Sequence, residues 1–318
     1  MRHRFLWLGV MVMFGVVAHP QYARAEAPET CRLGLIVLGI AQDAGKPQIG
    51  HNEDPAWQDP AQAEPASAIA ITDEQSGARY LFDATPDIKA QLYALDRATD
   101  KGGFALSGIF LTHAHIGHYL GLAQLGREAM GAKSIPVYVM PKMQTFLTNN
   151  GPWSLLVRLK NIALMPLGNG QTISLDGGLQ VTPFLVPHRA EYTETVGYRI
   201  KTEGKSVIYL PDIDSWAQWD ELGTHLEDII ADNDLLYLDA TFYSGDELPG
   251  RDMSKIPHPT ITHTMNRLKS MPTAQKTKIR FIHLNHSNPA HDPTSEASQT
   301  IRKAGFKVAK TGEHYCLD

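Results

Sequence analysis

The chain has 318 residues, of which 43% are hydrophobic, and it carries a net charge of −5 with a pI of about 6.3. A chain of this length and apolar content can bury one large core or two smaller ones. No basic patch dominates the sequence, which excludes a phosphate-neutralising nucleic-acid surface. We therefore expect a small-molecule substrate and no nucleic-acid partner.

The first 25 residues have the order of a secretory signal peptide. A basic MRHR stretch precedes the apolar run FLWLGVMVMFGVV, and Ala23, Arg24 and Ala25 form a small-x-small cleavage site. The alternative is an uncleaved membrane anchor, but the apolar run is shorter than the roughly 20 residues that span a bilayer. We expect cleavage after Ala25, a periplasmic or secreted protein without stable membrane insertion, and a single domain over residues 26–318.

The chain contains two cysteines, Cys31 and Cys316, near the two ends of the mature sequence. An even number of cysteines in an oxidising compartment permits a disulfide, and two unrelated buried thiols are the alternative. Because Cys31 opens the first predicted strand and Cys316 follows the last one, edge strands of one sheet would bring them close enough to bridge.

Strands and helices alternate along the rest of the chain. Apolar β-branched runs predict strands, and apolar side chains at a helical spacing predict helices. Loops this long inside a domain are usually functional, so we expect residues 41–65 and 243–258 to form the walls of a cleft. In chain order the predicted elements are a strand at 31–41, two strands within 67–84, a helix at 86–98, a strand at 108–113, a helix at 117–131, a strand at 135–140, a helix at 141–150, a strand at 179–188, a hairpin at 195–212, a strand at 234–242, a helix at 258–270, a strand at 278–286, a helix at 295–305 and a strand at 306–311.

Several predicted strands end in side chains that bind metal ions. Strand ends that meet at one edge of a sheet hold such side chains on rigid supports. Imidazole nitrogen and carboxylate oxygen are ligands for zinc, iron and manganese. These side chains are Asp83, His113, His188 and Asp212, and a fifth strand carries both His283 and His286.

The segment THAHIGH, residues 112–118, places three histidines within six residues. His113 and His115 are two residues apart on an extended segment, so both point the same way and can chelate one ion. His118 stands at the start of the predicted helix and reaches either the same ion or a second one. A lone histidine is more often a surface or hydrogen-bonded core residue, and this interpretation holds for the isolated His258, His263 and His291.

THAHIGH resembles the H-x-H-x-D-H signature of the metallo-β-lactamase-fold hydrolases. The rest of that family's pattern follows in order, as LFDA, VPHRAEY, YLPD and FIHLNHSNP. Within the superfamily, the segments VLGIAQDAGKPQ, LLYLDATF and FIHLNHSNP are most similar to coenzyme PQQ synthesis protein B and its relatives. The resemblance covers about residues 31–316 and implies an α/β fold, a four-layered αβ/βα sandwich of two mixed β-sheets with outer helices.

The resemblance also implies a metal centre of one or two ions, zinc first, with manganese and iron as alternatives. His113, His115 and His188 would bind the first ion. Asp83 would orient the loop that carries the histidine cluster, without touching the metal.

For the second ion, the resemblance implies His118, a bridging Asp212 and a late histidine. His283 is favoured over His286 because it lies within the strand that carries the family's last ligand. The family's aspartate is replaced here by Gly117, so either the second site is weak, or His286 substitutes for the missing ligand, or one ion suffices. If the site is weak, Gly117→Asp is expected to raise metal occupancy.

The early loop departs from the family as well. Relatives of the PQQ synthesis protein often place cysteines after the PQ dipeptide, consistent with a structural zinc. This chain instead reads PQIGHNEDPAW, with His51 and no cysteine. We expect no structural zinc of that kind.

The function implied first is metal-assisted hydrolysis of an ester, lactone, amide or phosphodiester. The ion would lower the pKa of a bound water to about 7 and polarise the scissile group. Asp212 would bridge the ions or orient the nucleophile, and His286 or His263 would protonate the leaving group. The alternatives are an iron-dependent oxidation like that of the PQQ protein, and a non-catalytic protein that binds a metal or small molecule.

Overall fold

The computed structural model describes residues 31–318, so the predicted signal peptide lies outside the described residues. Two seven-stranded sheets form the centre of the molecule. Their strands are β1 (Leu33–Gly39), β2 (Ala68–Asp73), β3 (Arg79–Phe82), β4 (Gly108–Phe110), β5 (Ile135–Val139), β6 (Ile162–Pro166), β7 (Ile173–Ser174), β8 (Gln180–Leu185), β9 (Val196–Lys201), β10 (Ser206–Leu210), β11 (Leu235–Asp239), β12 (Ile279–Ile282), β13 (Lys307–Val308) and β14 (His314–Cys316).

Nine α-helices are found in the described part of the chain. Among residues 31–318, no helix has the length and apolar character needed to cross a membrane. The helices are α1 (Ile88–Ala98), α2 (Ile116–Tyr119), α3 (Pro141–Asn149), α4 (Trp153–Arg158), α5 (Trp216–Glu221), α6 (Leu226–Ala231), α7 (Ile261–Arg267), α8 (Thr273–Lys276) and α9 (Glu296–Lys303).

Both sheets are mixed, and they are built alike. The first has the order β14-β1-β2-β3-β4-β5-β6, antiparallel from β14 to β3 and parallel from β3 to β6. The second has the order β13-β12-β11-β10-β9-β8-β7, antiparallel from β7 to β10 and parallel from β10 to β13. Each half of the chain thus forms one sheet, and only β14 returns to the first.

The two sheets face each other across a central core, and helices cover their outer faces. Strand β1 shows the arrangement, because successive side chains of a strand point to opposite faces. Leu35 and Val37 pack into the central core, whereas Ile36 and Leu38 pack outward with Leu92 of α1. A third cluster joins the outer face of the second sheet to α5, α6, α7 and α9. The predicted four-layered αβ/βα sandwich is therefore confirmed.

The helix predicted at residues 117–131 is much shorter in the structure. The α-helical part covers only Ile116–Tyr119, and a 3-10 helix continues it over Leu120–Leu125. The Ala84 N–H donates to the His118 carbonyl at 2.8 Å, and the Gly121 N–H donates to the Ala84 carbonyl at 2.9 Å. These bonds to the end of β3 take backbone groups that a longer α-helix would need.

The two cysteines lie together at the edge of the first sheet. Gly34 of β1 pairs with Cys316 of β14, and Cys31 and Cys316 form a disulfide with a Cα–Cα distance of 5.6 Å. The prediction that the two residues lie close enough to bridge is confirmed.

Candidate metal centre

The candidate ligands come from loops that follow strands at one common edge of the sandwich. Because the parallel strands of each sheet end at the same edge, their following loops meet there. The contributing loops follow β1, β4, β8, β10 and β12, and they carry Asp43, then His113 with His115 and His118, then His188, Asp212 and His283.

Three histidine nitrogens form the first group. His113 Nε2 lies 2.9 Å from His115 Nδ1, which in turn lies 3.2 Å from His188 Nε2. Burial, with His118 nearby, holds the pKa of His113 well below its usual value, and burial with His188 lowers the pKa of His115. Neutral imidazoles offer the lone pairs that a metal ion requires. The three nitrogens can therefore supply three of the four ligands of a tetrahedrally coordinated ion.

Four other atoms form the second group, and one of them was not predicted. His118 Nε2 lies 3.0 Å from Asp212 Oδ2 and 3.3 Å from Asp43 Oδ1. His283 Nε2 lies 3.3 Å from Asp212 Oδ2 and 3.8 Å from Asp43 Oδ1. All four atoms are buried and lack a hydrogen-bond partner. Buried polar atoms without partners are costly, so their convergence on one point fits a bound cation.

Asp212 stands between the two groups. Its Oδ1 lies 3.8 Å from His188 Nε2 of the first group, and its Oδ2 faces His118 and His283 of the second. Burial would raise the pKa of Asp212, but His283, His118 and His188 outweigh it and hold that pKa well below its usual range. An ionised carboxylate with one oxygen toward each group has the geometry of a bridging ligand.

Four of the five candidate histidines have a partner within 3.1 Å of their second ring nitrogen. Thr112 Oγ1 lies 3.0 Å from His113 Nδ1, and Asp214 Oδ1 lies 2.7 Å from His188 Nδ1. Asp83 Oδ2 lies 2.8 Å from His118 Nδ1. Such outer partners fix the orientation and tautomer of metal-binding histidines. Thr241 Oγ1 has the same role for His283, at 3.1 Å from its Nδ1.

Asp83 connects the histidine loop to the first sheet. Besides His118, its carboxylate accepts hydrogen bonds from the Thr112 N–H at 2.8 Å and the Tyr209 hydroxyl at 3.2 Å. The residue is fully buried. It contacts the histidine but not the first group of ligand atoms, which places it where it can orient ligands.

Sequence reasoning did not assign a role to Asp239 or His258. Asp239 Oδ2 accepts a hydrogen bond from the Ile213 N–H at 3.0 Å and lies 2.7 Å from His258 Nδ1. Its Oδ1 accepts from the Thr241 N–H at 2.9 Å, so both oxygens have partners. Burial opposes the charged imidazole, but Asp239 outweighs it and raises the pKa of His258 to about 9. The feature of the sequence that could have indicated this pair is the acidic residue at the end of β11.

The structure places two of the predicted catalytic residues away from this cluster. His286 stacks on His51 of the early loop, with ring centroids 3.9 Å apart, because β12 ends at Ile282 and the chain turns before residue 286. His263 is exposed on α7. The assignment of the leaving-group proton to either residue is corrected accordingly. Of the two late histidines, His283 is the one that reaches the cluster.

A cavity of about 370 Å³ opens onto the cluster. The predicted wall segments contribute Gln42 and Asp43 from the early loop and His258 from the later one. The segment after His188, with Arg189 and Tyr192, forms a further wall that was not predicted. Tyr192 also lines a neighbouring cavity of about 400 Å³, where its ring stacks on Phe146.

Comparison with known proteins identifies the family. The profile described as "Beta-lactamase superfamily domain" matches residues 78–284. The chain therefore belongs to the beta-lactamase superfamily. Coenzyme PQQ synthesis protein B of Xanthomonas axonopodis pv. citri is 26% identical over 311 residues, covering 89% of this chain and 99% of the relative. The resemblance seen in the sequence motifs is thus confirmed.

Solved structures support the fold. Zinc-bound PqqB from Methylobacterium extorquens matches with a TM-score of 0.72 at 21% identity, covering 89% of this chain and 99% of that one. A diphosphatase from the PhnP family matches with a TM-score of 0.60 at 24% identity, covering 89% and 96%. At these identities the structural matches establish the metallo-β-lactamase fold and leave the reaction to be argued from the site.

Proposed function

We propose that the protein is a metal-dependent hydrolase whose centre holds two ions. The observation that carries the proposal is the pairing of two ligand groups through Asp212: three histidine nitrogens lie on one side, and four buried atoms without hydrogen-bond partners lie on the other. A carboxylate shared by two closely spaced ions is the arrangement that two-metal hydrolysis requires. The substrate class is an ester, lactone, amide or phosphodiester small enough to enter the cavity.

Zinc is the metal we propose, with manganese and iron as alternatives. The donor set of imidazole nitrogen and carboxylate oxygen suits zinc, and the Methylobacterium extorquens PqqB with the same fold is zinc-bound. When bound, the ions lower the pKa of water toward 7 and polarise the scissile group.

The protein's own residues hold and orient the reacting groups. Asp212 sits between the two ligand groups and fixes their spacing. His258, which lines the cavity and is anchored on Asp239 at 2.7 Å, delivers the proton to the leaving group. A proton donor must lie within reach of the leaving atom in the cavity, and among the described histidines outside the two ligand groups, His258 meets this condition where His263 and His286 do not.

The test is hydrolysis of chromogenic esters, lactones, amides and phosphodiesters by the zinc-loaded protein. His113→Ala removes a ligand of the first group, so we expect loss of one bound ion and of activity. His258→Gln should lower kcat and leave the metal count unchanged. The matched control is His225→Ala, because His225 is half exposed beside Asp220, outside the cluster. Two bound ions with no turnover on any substrate class would contradict the hydrolase.

A second candidate is an oxidation that uses a single iron. It comes from the resemblance to coenzyme PQQ synthesis protein B, which is 26% identical over 311 residues. One iron per chain with oxygen consumption would support this function. Metal binding without hydrolysis and without oxygen consumption would instead support a non-catalytic binding protein.

Export is the proposed localisation. The basic and apolar order of residues 1–25 supports it, and the Cys31–Cys316 disulfide fits an oxidising compartment. Mass spectrometry of the protein purified from its native cells should find a chain that begins after Ala25. A chain that retains residues 1–25 would contradict export with cleavage.

A further inference from the structure

We infer that Asp43, from the loop after β1, is the carboxylate ligand of the second ion, in the place that the family signature gives to an aspartate at position 117. Its Oδ1 lies 3.3 Å from His118 Nε2 and 3.8 Å from His283 Nε2. It is one of the four buried atoms without a hydrogen-bond partner in this group. The carboxylate comes from a different position in the sequence, but the ion is offered the same kinds of donor atom.

The glycine at position 117 is explained by the position of Asp43. A Cβ added at residue 117 would overlap the Oδ1 and the Cα of Asp43. The space that a side chain at 117 would occupy is therefore filled by the carboxylate of another loop. The glycine is required here by close approach of two segments, because its φ lies outside the left-handed region that favours glycine.

The loop that carries Asp43 is fixed to the strand end that carries His283. The Gln42 N–H donates to the Leu284 carbonyl at 2.8 Å, and Asn285 Nδ2 donates to Gln42 Oε1 at 2.6 Å. A turn follows in which the Gly45 N–H donates to the Gln42 carbonyl at 2.8 Å. Asp43 is thus held on both sides, so its carboxylate is preorganised beside His283.

The assignment of Asp43 as a ligand replaces the interpretations of Gly117 made from the sequence. Neither a weak second site nor a ligand role for His286 follows, because a carboxylate is already present and His286 lies on His51. Gly117→Asp is therefore expected to lower metal occupancy, since two carboxylates would compete for one space.

The experiment measures zinc stoichiometry and affinity by competition with a chromophoric chelator on the full mature chain. The wild type should bind two ions. Asp43→Asn should keep the first ion and weaken the second at least about tenfold, because a primary ligand contributes no less than the outer partners whose loss costs 10–100-fold. Asp59→Asn is the matched control, because Asp59 lies in the same loop and caps a 3-10 helix away from the cluster.

A second arm tests the close approach at residue 117. Gly117→Asp should weaken the second ion, because its Cβ overlaps the Cα of Asp43 and must displace the segment that carries the Asp43 carboxylate. Retention of the first ion and an unchanged unfolding transition show that each variant is folded. Wild-type affinity for both ions in Asp43→Asn would overturn the inference.

The inference rests on the proposed function only in that both need the second ion. Loss of that ion in Asp43→Asn, together with absence of hydrolysis in the wild type, would leave the ligand assignment intact and remove the hydrolase.

Discussion

At the residue scale, two buried side chains of the centre stand on backbone that L-residues seldom adopt. Asp83 has a φ of 66° and His283 a φ of 65°, each directly after the last residue of a strand. Non-glycine residues in this region cost about 1 kcal/mol or more, and they cluster at functional sites. The left-handed backbone conformation at each of these two residues directs its side chain from the end of the strand toward the cluster.

The residues that orient the ligands should act on one ion each. Asp83→Asn removes the carboxylate beside His118, so we expect the affinity for the second ion to fall by about 10–100-fold. Asp214→Asn removes the partner of His188 and should weaken the first ion by a similar factor. Chelator competition with both variants checks the assignment, and equal effects of both variants on both ions would contradict it.

His291 should make folding stability depend on pH. Burial, reinforced by Lys46, lowers the pKa of His291 to about 4, and its Nε2–H donates to the carbonyls of Leu284 and Asn285. In the unfolded chain the pKa is about 6.5. Between these values the unfolded state binds more protons, so the free energy of unfolding decreases as the pH falls from about 6.5 to about 4, by up to about 3 kcal/mol.

The variant that isolates this effect is His291→Gln, which keeps an N–H donor and removes the titration. Urea unfolding at pH 7 and pH 5 should show a smaller loss of stability in the variant than in the wild type. An equal loss of stability between pH 7 and pH 5 in the variant and in the wild type would show that His291 does not carry the effect.

At the element scale, the sequence analysis did not predict the strands β6, β7 and β14, and the disulfide joins β14 to the segment before β1. Three residues without an apolar run give no strand signal, yet β14 pairs with β1 and closes the edge of the first sheet. The predicted long helix at 117–131 fails for a related reason, since backbone bonds to Ala84 shorten it. Both features depend on contacts between distant segments, which local periodicity does not report.

Removal of the disulfide should destabilise this edge. A cross-link over 285 residues restricts the unfolded chain, so the double variant Cys31→Ser, Cys316→Ser should lose about 2–5 kcal/mol of unfolding free energy. Denaturant unfolding measures the loss. Added reductant should lower the stability of the wild type and not of the double variant, and equal stabilities without reductant would contradict the prediction.

The segment after β8 should contribute to substrate binding. Tyr192 is 66% exposed, lines both cavities and stacks on Phe146 with ring centroids 5.4 Å apart. If it contacts a part of the substrate that does not react, Tyr192→Ala raises KM by about 2–10-fold and leaves kcat unchanged. Steady-state kinetics on the best substrate of the panel checks this, and a fall in kcat at unchanged KM would contradict it.

At the scale of the whole molecule, the two sheets bring together candidate ligands that the sequence separates by 240 residues, from Asp43 to His283. Six of these candidates could be predicted from the sequence because they follow apolar strands and match family motifs. Asp43 could not, because it follows β1 in a loop without a ligand motif, and only the fold places it beside Gly117. His258 was interpreted as an isolated histidine for the same reason, since its partner Asp239 ends a different strand.

The position of bound metal tests the account most directly. An anomalous difference map from crystals of the zinc-loaded protein, recorded at the zinc absorption edge, should show two peaks per chain. One should lie among His113, His115 and His188, and the other among Asp43, His118 and His283, with Asp212 between them. A single peak, or a second peak that Asp43 does not contact, would contradict the two-ion centre described for this protein.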